Sequence, residues 1–472
     1  MAELAPVKTE SSASSRGAHL NSGNGPTMQP VDIGHSDYVA LLDPDAAFWS
    51  LVKKEKLAEA LADSALLKEH RRKRDRFLEE MNTLRFGLKP QAVYFNLTER
   101  CNLNCSYCYI PEKLRRKGVS MSEDKLTGTL KTLRRYFKKT LPPGRLAQVI
   151  FHGSEPMLCR EALFSALDEF GGDFNFGIQT NGTLLDEEAI QFLTSRGISV
   201  GLSLDGHRAD VSKRSRKTWG GEGIHHQVIE AIERLKGYPN YSVICTATST
   251  NMRTLSSIVD FFHGMEIPTC MLNPVRCTLP GAREVKPSDH QFARHFLKAL
   301  DRTFELYEKT GRKLIVANFA NILISILAPA ARRLMCDISP CGGGRCFFAV
   351  SAQGDLYPCS EFIGLPAFKG GSLFNGGIEK ALASPAFRAV TGRKVEDIEP
   401  CRRCAVRHFC GSPCPAEAHE MNGGMDQPGA FCELYEEQVR YALRAIADGR
   451  QDAYLWDNWD TDTETSLEIT SL

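Results

Sequence analysis

From position 92 to about 310 the chain switches repeatedly between short runs rich in β-branched and aromatic residues and longer stretches with apolar residues at helical steps. The first pattern predicts buried strands, the second amphipathic helices, and their alternation parallel βαβ units. Strands are expected near 92–97, 147–151, 174–180, 198–204, 241–248 and 269–273, and helices near 122–138, 160–170, 185–195, 224–236, 253–264 and 289–310. This describes an α/β fold, a partial and open (β/α)6 TIM-like barrel, with its chemistry at the carboxyl ends of the strands.

Outside that core the pattern changes. Residues 1–37 are rich in Ser, Gly, Pro and Asn without periodicity and are expected to be disordered. A helical segment is expected over 38–89, with Phe48, Leu51, Val52, Leu57, Leu61 and Leu66 at three- to five-residue steps. Its basic run at 71–76 reads as a solvated helix face. After the core at 90–310 come a bridging region (311–335), a Cys-rich domain (336–435), a C-terminal helix (436–450) and an acidic tail (451–472) expected to be disordered. The longest apolar run, 319–331, is short and broken by Asn321 and Pro329, so no membrane span is expected.

Composition narrows the function class. With 472 residues, 42% hydrophobic, 24% charged and a net charge of +1, nothing points to nucleic acid or a membrane surface. The 16 cysteines are the outlying feature: three lie at 101–108 and eight between 341 and 432. The first residues carry Glu3, Lys8 and Glu10 and no apolar signal segment, so a cytoplasmic protein with thiols kept for metal is expected.

The stretch 98–110 reads TERCNLNCSYCYI and places Cys101, Cys105 and Cys108 in a CxxxCxxC spacing directly after the first predicted strand. Three thiolates can each hold one iron of a cubane cluster and leave the fourth iron open; a structural metal knuckle is the alternative. With Tyr107 and Tyr109 flanking the last Cys, the loop resembles that of the radical S-adenosylmethionine (radical SAM) enzymes. The resemblance implies that the open iron of a 4Fe-4S cluster binds the methionine moiety of S-adenosyl-L-methionine. Cleavage of the sulfonium then yields a 5′-deoxyadenosyl radical, with Tyr107 among the cofactor contacts.

Later strand ends extend the resemblance. Gly153, Ser154 and Glu155 resemble the family's GGEP turn, with Ser154 in place of the second Gly, and are implied to meet the methionine amino group. Asn181 is implied as a pocket contact, Ser203 and Asp205 as reaching the ribose, and Arg216, rather than Arg214, as pairing with the methionine carboxylate. His152 is either a further contact or a structural histidine.

In the Cys-rich domain, Gly354-x4-Cys359 and then Cys401-x2-Cys404-x5-Cys410-x3-Cys414 and Cys432 resemble the SPASM extension of this family. The resemblance implies one auxiliary 4Fe-4S cluster on Cys341, Cys346, Cys359 and Cys414, and another on Cys401, Cys404, Cys410 and Cys432. Cys336 is a possible substitute for Cys346, and two zinc sites are the competing reading. Cys159, Cys245, Cys270 and Cys277 receive no role.

The implied enzyme is a peptide maturase that takes hydrogen from a precursor peptide and closes a thioether or carbon–carbon crosslink. A low-potential donor such as flavodoxin or ferredoxin would supply the electron. The alternative is a sulfatase-maturing type that oxidises Cys or Ser to formylglycine; its general base follows the G-x4-C cysteine as Asp, whereas Cys359 is followed by Ser360 and Glu361, leaving Glu361 as the candidate base. A metal-binding scaffold without catalysis is the third reading.

Overall fold

A computed structural model describes residues 28–62, 64–457 and 459. At its amino-terminal side β1 (Gln29–Val31), β2 (Tyr38–Asp43) and β3 (Phe48–Lys53) form an antiparallel sheet, followed by helix α1 (Ala65–Asn82). This corrects the expected helix over 38–89. In β3 Phe48 and Ser50 are buried while Trp49 and Leu51 are only half-buried, so a polar residue occupies an inward position and hides the two-residue period. Phe48 packs on His70 and Phe77 of α1, with ring centroids 4.9 and 5.2 Å apart.

The basic run is also less solvated than its composition suggests. Lys73 is buried, and Arg74 Nε donates to Asp43 Oδ2 at 2.9 Å. Hydrogen bonds from His70 and Arg74, against the effect of burial, hold the Asp43 carboxyl down at about 2. Of the stretch expected to be disordered, residues 1–27 lie outside the described residues, and Gln29–Val31 is a strand.

The core has the expected parallel strands, β4 (Ala92–Phe95), β5 (Ala147–Phe151), β6 (Phe174–Thr180), β7 (Ser199–Ser203), β8 (Tyr241–Ala247) and β9 (Thr269–Pro274), each paired with the next. Between and after them run α2 (Glu123–Thr140), α3 (Arg160–Phe170), α4 (Glu187–Ser195), α5 (His225–Arg234), α6 (Leu255–Gly264) and α7 (Asp289–Thr310). Alternate strand positions such as Val93, Phe95, Val149 and Phe151 are fully buried, as a sheet covered by helices demands.

The sheet is wider than six strands. The two-residue β10 (Ile315–Val316) adds parallel to β9 and leads into the buried helix α8 (Ala317–Leu327). At the opposite edge β11 (Phe347–Val350) pairs parallel with β4, and the antiparallel β12 (Asp355–Tyr357) and β13 (Gly371–Ser372) complete ten strands. The Cys-rich domain is thus hydrogen-bonded into the barrel sheet.

Helix α9 (Cys432–Ala447) closes the far side, where Tyr441 packs edge-on against Phe319 of α8. The start of the acidic tail is ordered, contrary to expectation: Tyr454 is buried with its hydroxyl 2.7 Å from that of Tyr441, and Lys313 Nζ donates to the Leu455 carbonyl. Residues 458 and 460–472 of the tail lie outside the described residues. Among the described residues no helix is long and apolar enough to cross a membrane.

Candidate active site

The loop that leaves β4 is held on several sides by backbone and guanidinium bonds. Asn104 N donates to the Lys217 carbonyl (2.8 Å), Ser106 N to that of Ser215 (3.0 Å) and Cys101 N to that of Arg115 (3.0 Å). The buried Arg115 guanidinium returns bonds to Ile110 and Leu103 carbonyls and to Asn104 Oδ1. Trp219 Nε1 donates to the Cys101 carbonyl, and Arg116 stacks on the Trp219 ring at 4.2 Å. The thiols of Cys101, Cys105 and Cys108 line one cavity of about 350 Å³. Burial pushes the Cys101 thiol up to about 12 and Cys108 to about 11, so metal binding here must release protons.

Beside the thiols, three expected cofactor contacts form a single chain. Arg216 Nη1 donates to the Tyr107 hydroxyl at 2.5 Å, and that hydroxyl donates to Asp205 Oδ2 at 2.6 Å. Asp205 Oδ1 accepts from Thr246 N, which fixes the carboxylate to β8. Arg216 lines the cavity with its Nε unpartnered, whereas Arg214 is exposed near Asp210. Ser203 and Asn181 also line the cavity; Asn181 Nδ2 donates to Asn102 Oδ1 at 2.8 Å and lies 3.9 Å from Cys101 Sγ.

The Gly153 turn shows why one glycine is enough. The left-handed φ falls at Gly153 (+106°), where a Cβ would come within 2.3 Å of the Asn96 amide. Ser154 instead donates its hydroxyl to the Glu99 carbonyl at 2.7 Å. Gly153 and Ser154 line the cavity, but Glu155 does not. Its fully buried carboxylate accepts from Met157 N, the Thr180 hydroxyl and Asn181 N, at 2.7 to 3.0 Å. Glu155 therefore ties the ends of β5 and β6 together rather than facing a ligand.

The same cavity continues to a second set of thiols, Cys336, Cys341, Cys359 and Cys414. Burial raises the Cys336 thiol, and the neighbouring thiols of Cys341, Cys359 and Cys414 raise it further. Cys336 presents accessible surface although it lies deep, because it opens on the cavity rather than on the outside. Cys346 is buried away from the cavity and has Cys341 as its neighbouring thiol. Cys336, the expected substitute for Cys346, thus shares the cavity with Cys341, Cys359 and Cys414, whereas Cys346 does not line it. Cys401, Cys404, Cys410 and Cys432 gather separately, with Cys401, Cys404 and Cys432 all raising the pKa of Cys410.

Between the two sets stand Tyr109, His152 and Glu361, which the sequence singled out, and Arg276, Tyr435 and Gln438, which it did not. Tyr109 hydrogen-bonds His152 Nε2 at 2.9 Å, and its pKa is raised by burial and by Glu361, Cys108 and Cys359 nearby. Burial holds His152 down at about 4, so it is neutral. Glu361 lines the cavity with Oε2 unpartnered, and burial pushes its carboxyl up to about 7 against the pull of Arg276. Arg276, Tyr435 and Gln438 complete that wall. Arg276 lies two residues after Pro274, the last residue of β9, where the strand-end rule would have found it.

The donor sets fit iron-sulfur clusters and S-adenosylmethionine. All 16 cysteines are free, three line one end of the cavity, and an unpartnered Arg216 Nε stands beside them for a carboxylate.

Comparison with known proteins agrees. The radical SAM superfamily pattern matches residues 95–262, and the SPASM iron-sulfur cluster-binding domain matches 341–405. An uncharacterized protein of Archaeoglobus fulgidus is 40% identical over 412 residues, 86% of this chain and 92% of that protein. A cysteine-type anaerobic sulfatase-maturating enzyme of Clostridium perfringens is 24% identical over 364 residues, 73% of this chain and 93% of that one. The solved structure of anSMEcpe with bound AdoMet and Cp18Cys peptide shares the fold, with a TM-score of 0.65 at 20% identity over 77% of this chain and 99% of that chain. The family's cofactors are a 4Fe-4S cluster and S-adenosylmethionine in the barrel and auxiliary iron-sulfur clusters in the SPASM domain. From the three-thiol loop to the second set of thiols, this chain belongs to the radical SAM superfamily and carries a C-terminal SPASM domain.

Proposed function

We propose that this enzyme oxidatively modifies a residue of a peptide or protein, in the reducing cytoplasm, with the substrate lying between Cys101, Cys105 and Cys108 on one side and Cys336, Cys341, Cys359 and Cys414 on the other. The observation that carries this reading is the single cavity that both sets of thiols line, with an unpartnered Glu361 carboxylate oxygen in its wall. When bound, the groups held by these thiols supply a 5′-deoxyadenosyl radical for hydrogen removal and an outlet for one further electron.

This chain's residues do the rest. Tyr107, Asp205 and Arg216 form a fixed chain beside the three thiols, with Arg216 offering its free Nε to a carboxylate. His152, neutral and bonded to Tyr109, brings no charge into the space between the two ends. Glu361 accepts the proton that a substrate radical must give up, together with one electron, to form a closed-shell product. That balance holds for a thioether or carbon–carbon crosslink, which is the leading product, and equally for oxidation of Cys or Ser to formylglycine. The second product is favoured by the named Clostridium relative, while Glu361 stands one residue beyond the place of that type's Asp.

The test incubates reconstituted enzyme, S-adenosylmethionine and a low-potential donor such as flavodoxin with short peptides encoded beside its gene and with a sulfatase peptide. Loss of two hydrogens from a peptide supports a crosslink, and an aldehyde on the sulfatase peptide the second product. 5′-Deoxyadenosine formed with every peptide mass unchanged would overturn the reading.

A further inference from the structure

The wall opposite the three-thiol loop carries polar atoms that the protein leaves unsatisfied. Arg276 Nη1, Glu361 Oε2 and Gln438 Oε1 are all buried without a partner, and all three side chains line the cavity. Gln438 is 1% exposed; its amide nitrogen donates to the Leu434 carbonyl, and its oxygen is the atom left without a partner. Tyr435 and Gln438 lie three residues apart on one face of α9, and Tyr435 stands beside Arg276. Arg276 and Gln438 therefore stand on the same stretch of wall, one offering a donor and the other an acceptor.

A buried polar group without a partner is costly, so a wall that keeps several is built for a ligand that supplies the complement. The ligand must present an acceptor to Arg276 and a donor to Gln438. The main chain of one extended residue is a neutral group that offers both on the same side, in its carbonyl and its N–H. A lone carboxylate would satisfy Arg276 and leave the Gln438 oxygen bare, while an amine would repel Arg276.

We propose that Arg276 and Gln438 form a subsite for the main chain of one extended substrate residue, Arg276 donating to its carbonyl and Gln438 accepting from its N–H. This rests on the peptide reading above and adds to it that recognition at this end is of backbone. The side chain to be modified is thereby left free to turn toward the three-thiol end. No bond is made or broken in this step.

The experiment uses the reconstituted holoenzyme with S-adenosylmethionine and measures binding of N-acetyl-Ala-Cys-Ala amide and of three analogues, each with one amide N–H replaced by an ester oxygen. One ester position is expected to bind about tenfold more weakly than the parent, with the others close to it. In Gln438→Leu the parent falls to the affinity of that ester and the discrimination disappears, while Gln438→Glu, isosteric and still an acceptor, keeps the preference. If the parent and all three esters bind equally, the subsite is wrong and the peptide reading stands. If the parent does not bind at all, both fall. Discrimination that persists in Gln438→Leu would also overturn the assignment.

Discussion

At the Cys101 end of the cavity most polar side chains already have protein partners: Tyr107 is shared between Asp205 and Arg216, Asn181 is tied to Asn102, and Ser154 to the Glu99 carbonyl. At the Cys359 end Arg276, Glu361 and Gln438 each keep an unpartnered atom. The first arrangement suits a ligand that is the same in every turnover, because a fixed geometry spares the cost of ordering side chains at each binding event. The second suits a ligand that brings its own hydrogen bonds. The exception at the first end, Arg216 Nε, fits the comparison, since a cofactor carboxylate would meet it.

The contrast is broken most severely by removing the three thiols. Cys101→Ala, Cys105→Ala and Cys108→Ala together are expected to abolish 5′-deoxyadenosine formation, while iron content falls only by roughly a third because the auxiliary thiols remain. Retained 5′-deoxyadenosine formation would show that these three thiols do not hold the catalytic cluster. Glu361→Gln acts at the other end: product formation should fall about a hundredfold, with S-adenosylmethionine cleavage much less affected. Equal loss of both would show that Glu361 does not serve the substrate.

Smaller effects sharpen the boundary between the ends. Cys336→Ser should lower iron by roughly a third, whereas Cys346→Ser should leave iron content and the visible spectrum as they are; the reverse result would reinstate Cys346. Ser154→Gly removes one hydrogen bond to a backbone carbonyl and adds chain entropy to the unfolded state. It should cost about 1–2 kcal/mol, read as a drop in Tm.

The barrel was legible because buried strands and amphipathic helices each leave their own period: the strand Phe174–Thr180 and the helix Asp289–Thr310 stand where the pattern puts them. The N-terminal sheet was not, since Phe48, Leu51 and Val52 also fit a helical step and Ser50 occupies an inward position. The thiol loop and the groups around Asp205 followed from motif order along the strands. Glu155 matched its motif and still turns away from the cavity, because three neighbouring donors take up its two oxygens. Cys336 was legible only as a substitute for Cys346: a spacing rule sees Cys341-x4-Cys346 as easily as Cys336-x4-Cys341, and the fold shows that it is Cys336 that lines the cavity. Arg276, Tyr435 and Gln438 come from β9's exit and from α9, some 160 residues apart in sequence, and no local pattern joins them.

The pairing of β11 with β4 makes the enzyme a fixed-gap device. β4 runs into the loop bearing the first thiols, and β11 opens the hairpin that leads to Cys359, so two neighbouring rungs of one ladder carry the two ends of the cavity. A spacing set by strand hydrogen bonds does not hinge, as an interdomain cleft would. The distance an electron would cross is thus a property of the sheet, and the substrate has to adapt its length to the enzyme.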